Sequence, residues 1–348
     1  MPTDRAGDLV AARSATHLMV ADSPSLDSAP VARLTDGQRP PGRVADLAFR
    51  SVTLLAGFSV LLILGLIAFY TTHEAWPAFS HEGIHFLTSK TWDVPNQHFG
   101  ALAFIYGTLV VSAIALVFAV PVSIGIALFI TEIAPRKLRR TIVTVIDLLA
   151  AVPSVVYGLW GSLVLANVTL PGFYTDVTST FRHVPVLHTL LSGKPVSGVS
   201  FMTAGLVVAL MITPIITSIT REVFATVPTA QKEAAVALGA TRWEMIRGAV
   251  FPHSRSGIVG AVLIGLGRAM GETIAVALVV GSATSVTGRL FSPGNTMAAQ
   301  IANQFGEATD VYRASLIGLG VVLFAITIIV GVIARGFVAR VEARTAGE

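Results

Sequence analysis

Two residues of opposite charge, Arg268 and Glu272, lie four positions apart in an otherwise apolar stretch of the sequence. The stretch predicts a membrane-spanning helix over residues 258–281, so both charges would lie near the centre of the bilayer. A charge at that depth costs about 2.5–3.5 kcal/mol on the insertion scale, and intramembrane charges more often mark a transport pathway than a structural brace. Because positions i and i+4 share one face of a helix, we expect the two side chains to pair.

The composition places the chain among membrane proteins. Of its 348 residues, 53% are hydrophobic and 13% are charged, whereas soluble proteins carry about 25% charged residues. The net charge of +4 does not indicate nucleic-acid binding, because the basic residues lie between apolar segments, where membrane topology explains them. The chain has no cysteine, which excludes disulfides, thiolate metal sites and cysteine nucleophiles.

Six apolar stretches are long enough to cross a bilayer, which needs about 20 residues per helix. With the N-terminus inside, only five of the 24 Lys and Arg residues fall in the predicted outer loops. This asymmetry predicts that both termini are cytoplasmic. We therefore expect an all-α, multi-pass (polytopic) protein of the cell membrane, surrounded by lipid. The predicted spans are residues 47–70, 103–131, 142–165, 201–220, 258–281 and 314–336.

The chain divides into four parts along its length. Residues 1–44 form a polar cytoplasmic tail that we expect to be disordered. Residues 45–100 hold the first span and an outer loop, and residues 101–336 form the main transmembrane domain. Residues 337–348 form a cytoplasmic C-terminal tail.

The three outer loops differ in composition. The first, residues 73–100, contains four of the eight histidines, but their spacing matches no ligand set, so we expect no metal site. The second, residues 167–199, is rich in Pro and Gly and is predicted to be irregular. In the third, a short helical run is predicted over residues 297–305.

A polar segment between the fourth and fifth spans predicts a helix-turn-helix on the inner side, which we call the handle (residues 226–252). Pro228 is well placed to open its first helix. Gly239 can take the positive φ that closes this helix. Thr241 and Glu244 fit a capping box, which begins the second helix.

Pro252 is predicted to end the second helix of the handle. The composition of the handle leaves two interpretations open. It is either a docking surface for a partner, with Trp243, Met245 and Ile246 as apolar anchors, or an amphipathic loop that rests on lipid headgroups.

The handle also carries a motif found in a known family. It contains Glu233, Ala234, Ala235 and Gly239, and it ends in residues 249–252, Ala-Val-Phe-Pro. This pattern resembles the EAA loop of ABC importer permeases, although Ala and Phe stand where the family has Ile and Leu. The resemblance implies the type I ABC importer permease fold, in which this loop is a cytoplasmic coupling helix-turn-helix. It also implies that Glu233, Ala234, Ala235 and Gly239 contact an ATPase subunit.

Two further segments restrict the resemblance to one subfamily of these permeases. Residues 267–276, Gly-Arg-Ala-Met-Gly-Glu-Thr-Ile-Ala-Val, resemble the signature helix of the phosphate-specific permease of the PstC type. Residues 153–161, Pro-Ser-Val-Val-Tyr-Gly-Leu-Trp-Gly, are similar to its third helix, and the resemblance covers roughly residues 100–335. It implies import of inorganic phosphate by alternating access. Arg268 would then meet the phosphate oxygens while Glu272 holds and partly neutralises it; a pair that only braces two helices is the alternative.

The energy source is expected on another subunit. A P-loop needs a Gly-Lys pair followed by Ser or Thr, and the only lysine that follows a glycine, Lys194, is followed by Pro195. We therefore expect this chain to bind no cofactor and not to be an enzyme, with ATP held by a partner. The resemblance implies a second homologous permease subunit, two ATPase subunits and an extracytoplasmic phosphate-binding protein; no nucleic-acid partner is expected.

Three alternatives remain open. The first is an ABC permease for another oxyanion, such as molybdate or sulfate. The second is an ion-coupled secondary transporter that uses Glu272 as a proton site, against which the EAA loop argues. The third is a membrane enzyme that uses Glu and His, for which the predicted spans offer no tight catalytic constellation.

Overall fold

The computed structural model of the protein describes residues 43–192 and 198–345. This part of the chain is mostly helical, and it contains six helices or helix runs that are long and apolar enough to cross a membrane. The predicted all-α polytopic fold is thus confirmed. The predicted disordered tail lies outside the described residues, except for residues 43 and 44, which belong to the first helix.

Helix α1 (Arg43–Glu82) extends well beyond the predicted first span. The chain divides into two compact units within this helix, between Leu62 and Ile63. In the first unit, the described residues form one helical segment whose large apolar side chains are exposed. A helix that is apolar all round suits an apolar environment such as lipid.

The first outer loop is folded rather than irregular. Trp92 packs edge to face against Phe99 and Phe104, with ring centroids 5.0 Å apart in each pair. In the turn, Asn96 Nδ2 donates to Asp93 Oδ2 at 2.7 Å, and this hydrogen bond lowers the pKa of Asp93. The elements of this loop are α2 (His85–Thr88), β1 (Trp92–Asp93) and β2 (His98–Phe99), with β1 and β2 antiparallel.

The second span begins as helix α3 (Leu102–Leu128) and continues as a π-helical segment, π1 (Phe129–Ile133). The predicted span over residues 103–131 is confirmed. Arg139, in the next helix, donates to the backbone carbonyls of Ile130 and Thr131. These bonds satisfy acceptors that the end of a helix otherwise leaves free, and so they fix the end of π1.

The predicted third span over residues 142–165 is wrong. Helix α4 (Arg136–Ala151) ends before Val152, and the membrane-length run is Ser154–His183. The reason is Pro153, which lacks an N–H and whose ring disfavours a helical conformation in the residue before it. Val152 accordingly has an extended ψ of 128°.

The predicted irregular loop over residues 167–199 is also wrong, because most of its described part is helical. Pro171 lies in the first turn of its helix, directly after a π-helical segment. Pro185 likewise begins a helix. The elements are α5 (Ser154–Trp160), the π-helical π2 (Gly161–Thr169), α6 (Leu170–Thr180), a 3-10 turn (Phe181–His183) and α7 (Pro185–Leu190).

Helix α8 (Phe201–Ala225) forms the fourth span, as predicted, and packs along α3. Ser200 caps its start, since Ser200 Oγ accepts the backbone N–H of Thr203 at 3.2 Å. Most of the inward side chains of α8 are buried, so this helix lies at the centre of the main core. The core includes Val111, Ile114, Ala115, Ala204, Val207, Val208, Ile212 and Ile216.

The handle has the local features that its sequence predicts. Gly239 has φ of +87° and follows the first handle helix. Thr241 Oγ1 accepts the N–H of Glu244 at 3.3 Å, and Glu244 Oε2 accepts the N–H of Thr241 at 2.8 Å, so the capping box is confirmed. The elements are α9 (Thr229–Ala237), α10 (Arg242–Met245), the π-helical π3 (Ile246–Val250) and α11 (Phe251–Gly271).

The predicted end of the second handle helix at Pro252 is wrong. The helix runs without a break from the handle into the membrane, as the fifth membrane-length run, Arg242–Gly271. Pro252 lies in the first turn of α11, directly after π3. The wider π-helical turn before it accommodates a residue that has no N–H to donate.

The remaining helices are α12 (Ile274–Val279), α13 (Met297–Gln304) and α14 (Asp310–Thr345). The helical run predicted over residues 297–305 is confirmed as α13. Thr296 caps it, because Thr296 Oγ1 accepts the N–H of Ala299 at 3.3 Å. The predicted span over residues 314–336 lies within α14, which is also the sixth membrane-length helix.

Candidate functional site

The predicted pairing of Arg268 with Glu272 on one helix face is wrong. Helix α11 ends at Gly271 and Glu272 has an extended ψ of 126°, so the predicted span over residues 258–281 is broken. Among the described residues, no ion pair joins the two side chains. Oε1 of Glu272 instead accepts the backbone N–H of Ala275 at 3.4 Å, which satisfies one of the free donors at the start of α12.

Arg268 and Glu272 therefore have different surroundings. Glu272 is buried, with 9% of its surface exposed. Arg268 is exposed, and within residues 43–192 and 198–345 no hydrogen bond or ion pair engages its guanidinium group. Non-helical backbone at membrane depth is tolerated where it is buried in protein or lines a water-filled cavity. Arg268, one turn before this break, is thus an exposed cation with five N–H donors, a chemistry that suits an anion.

The two segments that resemble the phosphate-specific permeases, residues 153–161 and 267–276, contact each other. Helix α5 packs against α12, and a β-carbon added at Gly158 would lie 2.8 Å from the Cα atom of Ala275. Tyr157 Oη donates to the carbonyl of Leu149 at 2.9 Å, which joins the two sides of the break at Pro153. Both breaks, at Pro153 and at Glu272, are therefore followed by short helices that lie in direct contact.

The four residues that the resemblance assigns to ATPase contact lie on or beside α9. Glu233 and Ala234 are exposed, and so is Gly239. Ala235 is half-buried and packs against the cluster of Met245, Ile246 and Val250. The structure thus places three of the four at the surface, while Ala235 faces the protein.

Only one of the expected apolar anchors is exposed. Met245 and Ile246 are buried in the cluster beneath the handle, so they hold the handle to the membrane helices instead. Trp243 is exposed together with Val236 and Leu238, the last with 90% of its surface exposed. Sequence reasoning missed Leu238, although its place directly before the helix-closing Gly239 was the available signal.

One ion pair in the handle was not predicted at all. Lys232 Nζ donates to Glu132 Oε1 at 2.6 Å, and Glu132 lies in π1 at the end of the second span. The partners are 100 positions apart in the chain, and nothing in the spacing of the sequence connects them. This contact links the first handle helix to the second span.

The outer histidines lie apart from these residues. His81 and His98 each place Nδ1 at 3.4 Å from Oε1 of Glu82. The same oxygen accepts the backbone N–H of Phe99 at 3.1 Å. In the described part of the chain, no three His, Asp or Glu side chains lie together in a group that could hold a metal ion.

Comparison with known proteins identifies the family. The model of the family described as "Binding-protein-dependent transport system inner membrane component" matches residues 119–347. The chain belongs to this family. The region that matches the inner membrane component family contains Arg268, Glu272 and the whole handle. It begins within α3, so it does not include α1 or the folded outer loop.

Several curated proteins resemble this inner membrane component along most of its length. The phosphate transport system permease protein PstC of Mesorhizobium japonicum is 45% identical over 87% of this chain and 92% of its own. The protein of the same name in Xylella fastidiosa is 45% identical over 84% and 90% of the two chains. That of Pasteurella multocida is 40% identical over 86% and 93%.

Solved structures share the fold of this inner membrane component. One is a bacterial ABC transporter involved in the import of the acidic polysaccharide alginate, with a TM-score of 0.56 and 18% identity. The likeness covers 86% of this chain and 99% of the other. A second is the bacterial alginate ABC transporter in complex with an alginate pentasaccharide-bound periplasmic protein, with a TM-score of 0.53. At this level of identity the likeness shows an ABC importer permease fold.

Proposed function

We propose that this chain is the permease subunit of an ATP-driven ABC importer that moves inorganic phosphate across the cytoplasmic membrane by alternating access. The observation that carries the proposal is the 45% identity, over 87% of the chain, to a protein named as a phosphate transport permease. The exposed Arg268, one turn before the end of the fifth membrane-length run, supports it because a cation at membrane depth offers an anion-binding group.

Both termini are cytoplasmic in this proposal. The support is the distribution of Lys and Arg, of which five fall in the three predicted outer loops. The handle then lies on the cytoplasmic side, where an ATPase can reach it. The folded first outer loop and the C-terminal end of the run Ser154–His183 lie on the outer side.

The driving energy comes from partner subunits in this proposal. Two ATPase subunits hold ATP, and one of them docks on the handle through Glu233, Ala234, Gly239 and the exposed apolar side chains near them. Leu238 and Trp243 are exposed, and large exposed apolar side chains commonly mark a surface that binds a protein or a membrane. This fits docking on an ATPase, and it fits the alternative of a loop that rests on lipid headgroups equally well. A second homologous permease subunit and an extracytoplasmic phosphate-binding protein complete the complex.

Arg268 and Glu272 have separate roles in this proposal. Arg268 meets the phosphate oxygens with its guanidinium fork, in bidentate hydrogen bonds that a lysine cannot copy. Glu272 acts as a positioning residue, because its hydrogen bond to Ala275 fixes the start of α12 next to the break. The alternative of a brace is not supported by this conformation, since the two side chains do not pair.

Transport by the whole complex in proteoliposomes tests the proposal. Wild-type complex should accumulate labelled phosphate only when ATP is present, and excess sulfate or molybdate should compete poorly. Arg268→Gln should abolish uptake while assembly with the ATPase persists. The control is Arg255→Gln, which removes an exposed arginine from the same helix, nearer the handle, and should retain uptake. Phosphate uptake that needs no ATPase would indicate a secondary transporter instead.

A further inference from the structure

The ion pair between Lys232 and Glu132 joins two parts of the protein that are not neighbours in the chain. Lys232 lies on α9, in the handle, and Glu132 lies in π1, which continues the second span. The side chains are 20% and 9% exposed and their charged atoms are 2.6 Å apart. A bond of this length between an ammonium and a carboxylate is a strong, charge-assisted hydrogen bond.

Both ends of the pair are firmly held. On one side, Arg139 binds the carbonyls of Ile130 and Thr131 and so anchors the segment that carries Glu132. On the other side, Ala235 of α9 packs on the apolar cluster beneath the handle. The pair therefore connects two ordered elements. Because packing already restricts both side chains, little further conformational entropy is lost when the pair forms.

Open space lies beside the pair. Glu132 lines two grooves, of about 540 and 680 Å³; apart from Ile133 in the second, their other lining residues belong to the handle. Lys232 lines the first of them, and Arg242 and Trp243 line the second. Near Glu132, the ion pair is thus a direct link across a gap between the handle and π1.

The covalent connections of the handle explain why such a link matters. The handle follows α8 and leads directly into α11, so a displacement of the handle moves these helices through the backbone. The second span has no such covalent connection, because Glu132 near its end lies 100 positions before Lys232 along the chain. It contacts the handle through its packing on α8 and through the apolar cluster beneath the handle, which includes Ala127. An ion pair that involves a lysine can keep two elements at a fixed distance while their relative orientation changes, since the lysine ammonium is a point charge on a four-carbon stem.

We propose that the Lys232–Glu132 ion pair is a mechanical tie that makes the second span move together with the handle during transport. The two residues are positioning residues and touch no substrate. This inference rests on the proposed function for its transport readout, but the tie itself concerns the movement of α3 and is measured separately below.

The variants are chosen so that no buried charge is left alone. Removing a single partner leaves an unpaired, largely buried charge, which destabilises a protein whatever its function. The double variant Glu132→Gln with Lys232→Met removes both charges at similar volume. The exchange Glu132→Lys with Lys232→Glu restores a pair of opposite sign. Lys137→Met, which removes an exposed lysine of α4, is the control.

The first measurement is phosphate uptake together with ATP hydrolysis by the whole complex in proteoliposomes. We expect the double variant to assemble and hydrolyse ATP, but to move at least about fivefold less phosphate per ATP, the lower end of typical coupling effects. The exchanged pair should regain most of this ratio. If uptake and hydrolysis fall together, or if the ratio stays at the wild-type value, the pair only stabilises the fold and the proposal is wrong.

The second measurement does not depend on phosphate. Because the chain has no cysteine, spin labels can be placed at Val122→Cys in α3 and Ala237→Cys in α9. The label distance should stay the same in wild-type complex with and without ATP, and should change with ATP in the double variant. An unchanged distance in the double variant would refute the tie. A wild-type complex that moves no phosphate would instead refute the proposed substrate, with the tie still decided by the label distance.

Discussion

Gly158 and Ala275 lie so close that a β-carbon on Gly158 would be 2.8 Å from the Cα atom of Ala275. Their helices, α5 and α12, each follow a break in a membrane helix run, at Pro153 and at Glu272. Helix α5 begins the membrane-length run Ser154–His183, whereas α12 has only six residues and is too short to cross the bilayer alone. Their contact therefore fixes the segment that follows the break at Glu272 against the start of the third membrane-length run.

The variant Gly158→Ala should destabilise this contact. The added methyl group meets backbone atoms that cannot rotate away, so we expect a loss of about 1–3 kcal/mol, as for overpacked cores. Thermal unfolding of the purified complex measures the effect, and phosphate uptake should fall with it. Gly172→Ala in α6 is the control, because a β-carbon there meets nothing within 4 Å. Equal unfolding temperatures for the two variants would contradict the prediction.

Substitutions of Glu272 should separate its hydrogen bond from its charge. Gln retains an oxygen that can accept the N–H of Ala275, whereas Leu does not. We therefore expect Glu272→Gln to unfold at nearly the wild-type temperature and Glu272→Leu to lose about 0.5–2 kcal/mol, the usual value of a lost helix cap. Thermal unfolding of the complex compares the two. If Gln destabilises as much as Leu, the carboxylate has a role beyond capping α12.

Gly239→Val should weaken the docking of the handle. The φ of +87° at Gly239 is strained for any residue with a β-carbon, so the turn should cost at least ~1 kcal/mol or change its shape. Affinity for the ATPase subunit should fall about fivefold or more, while insertion into the membrane is unchanged. Gly248→Ala, where the added carbon meets nothing within 4 Å, should bind normally. Normal affinity of Gly239→Val would count against a docking role for this turn.

The proposed orientation can be tested by labelling single cysteines in intact cells. An impermeant thiol reagent should modify Ser80→Cys and Ser179→Cys from outside, since both positions are exposed in the last turns of their membrane-length runs, at the proposed outer ends. Thr141→Cys, exposed near the start of α4, should react only after the membrane is opened. Reaction of Thr141→Cys in intact cells would reverse the topology.

Local sequence features predicted local structure well. The capping box of Thr241 and Glu244 and the positive φ of Gly239 depend on neighbouring residues alone, and both are confirmed. The break at Pro153 was visible in the sequence but was misinterpreted, because apolar residues on both sides made a continuous span look reasonable. A proline at membrane depth outweighs that pattern, since it removes a donor and distorts the residue before it.

The features that depend on tertiary contacts could not be predicted. Nothing local stops a helix at Glu272; the break there goes with the packing of α12 on α5, in which Ala275 meets Gly158. The pair of Lys232 with Glu132 needs two segments 100 positions apart to fold against the same cluster. Residue spacing carries no record of such a contact.

The helix run from Arg242 to Gly271 is continuous, so a tilt at the handle end displaces its far end. At about 1.5 Å per residue, Arg268 lies about 40 Å from the handle end of this run. A tilt of about 5° around the handle end would then shift Arg268 by about 3 Å, which is the length of a hydrogen bond. A small rotation of the handle is therefore enough to make or break a contact at Arg268. The stiffness of this helix run determines how large the displacement of Arg268 is for a given rotation of the handle.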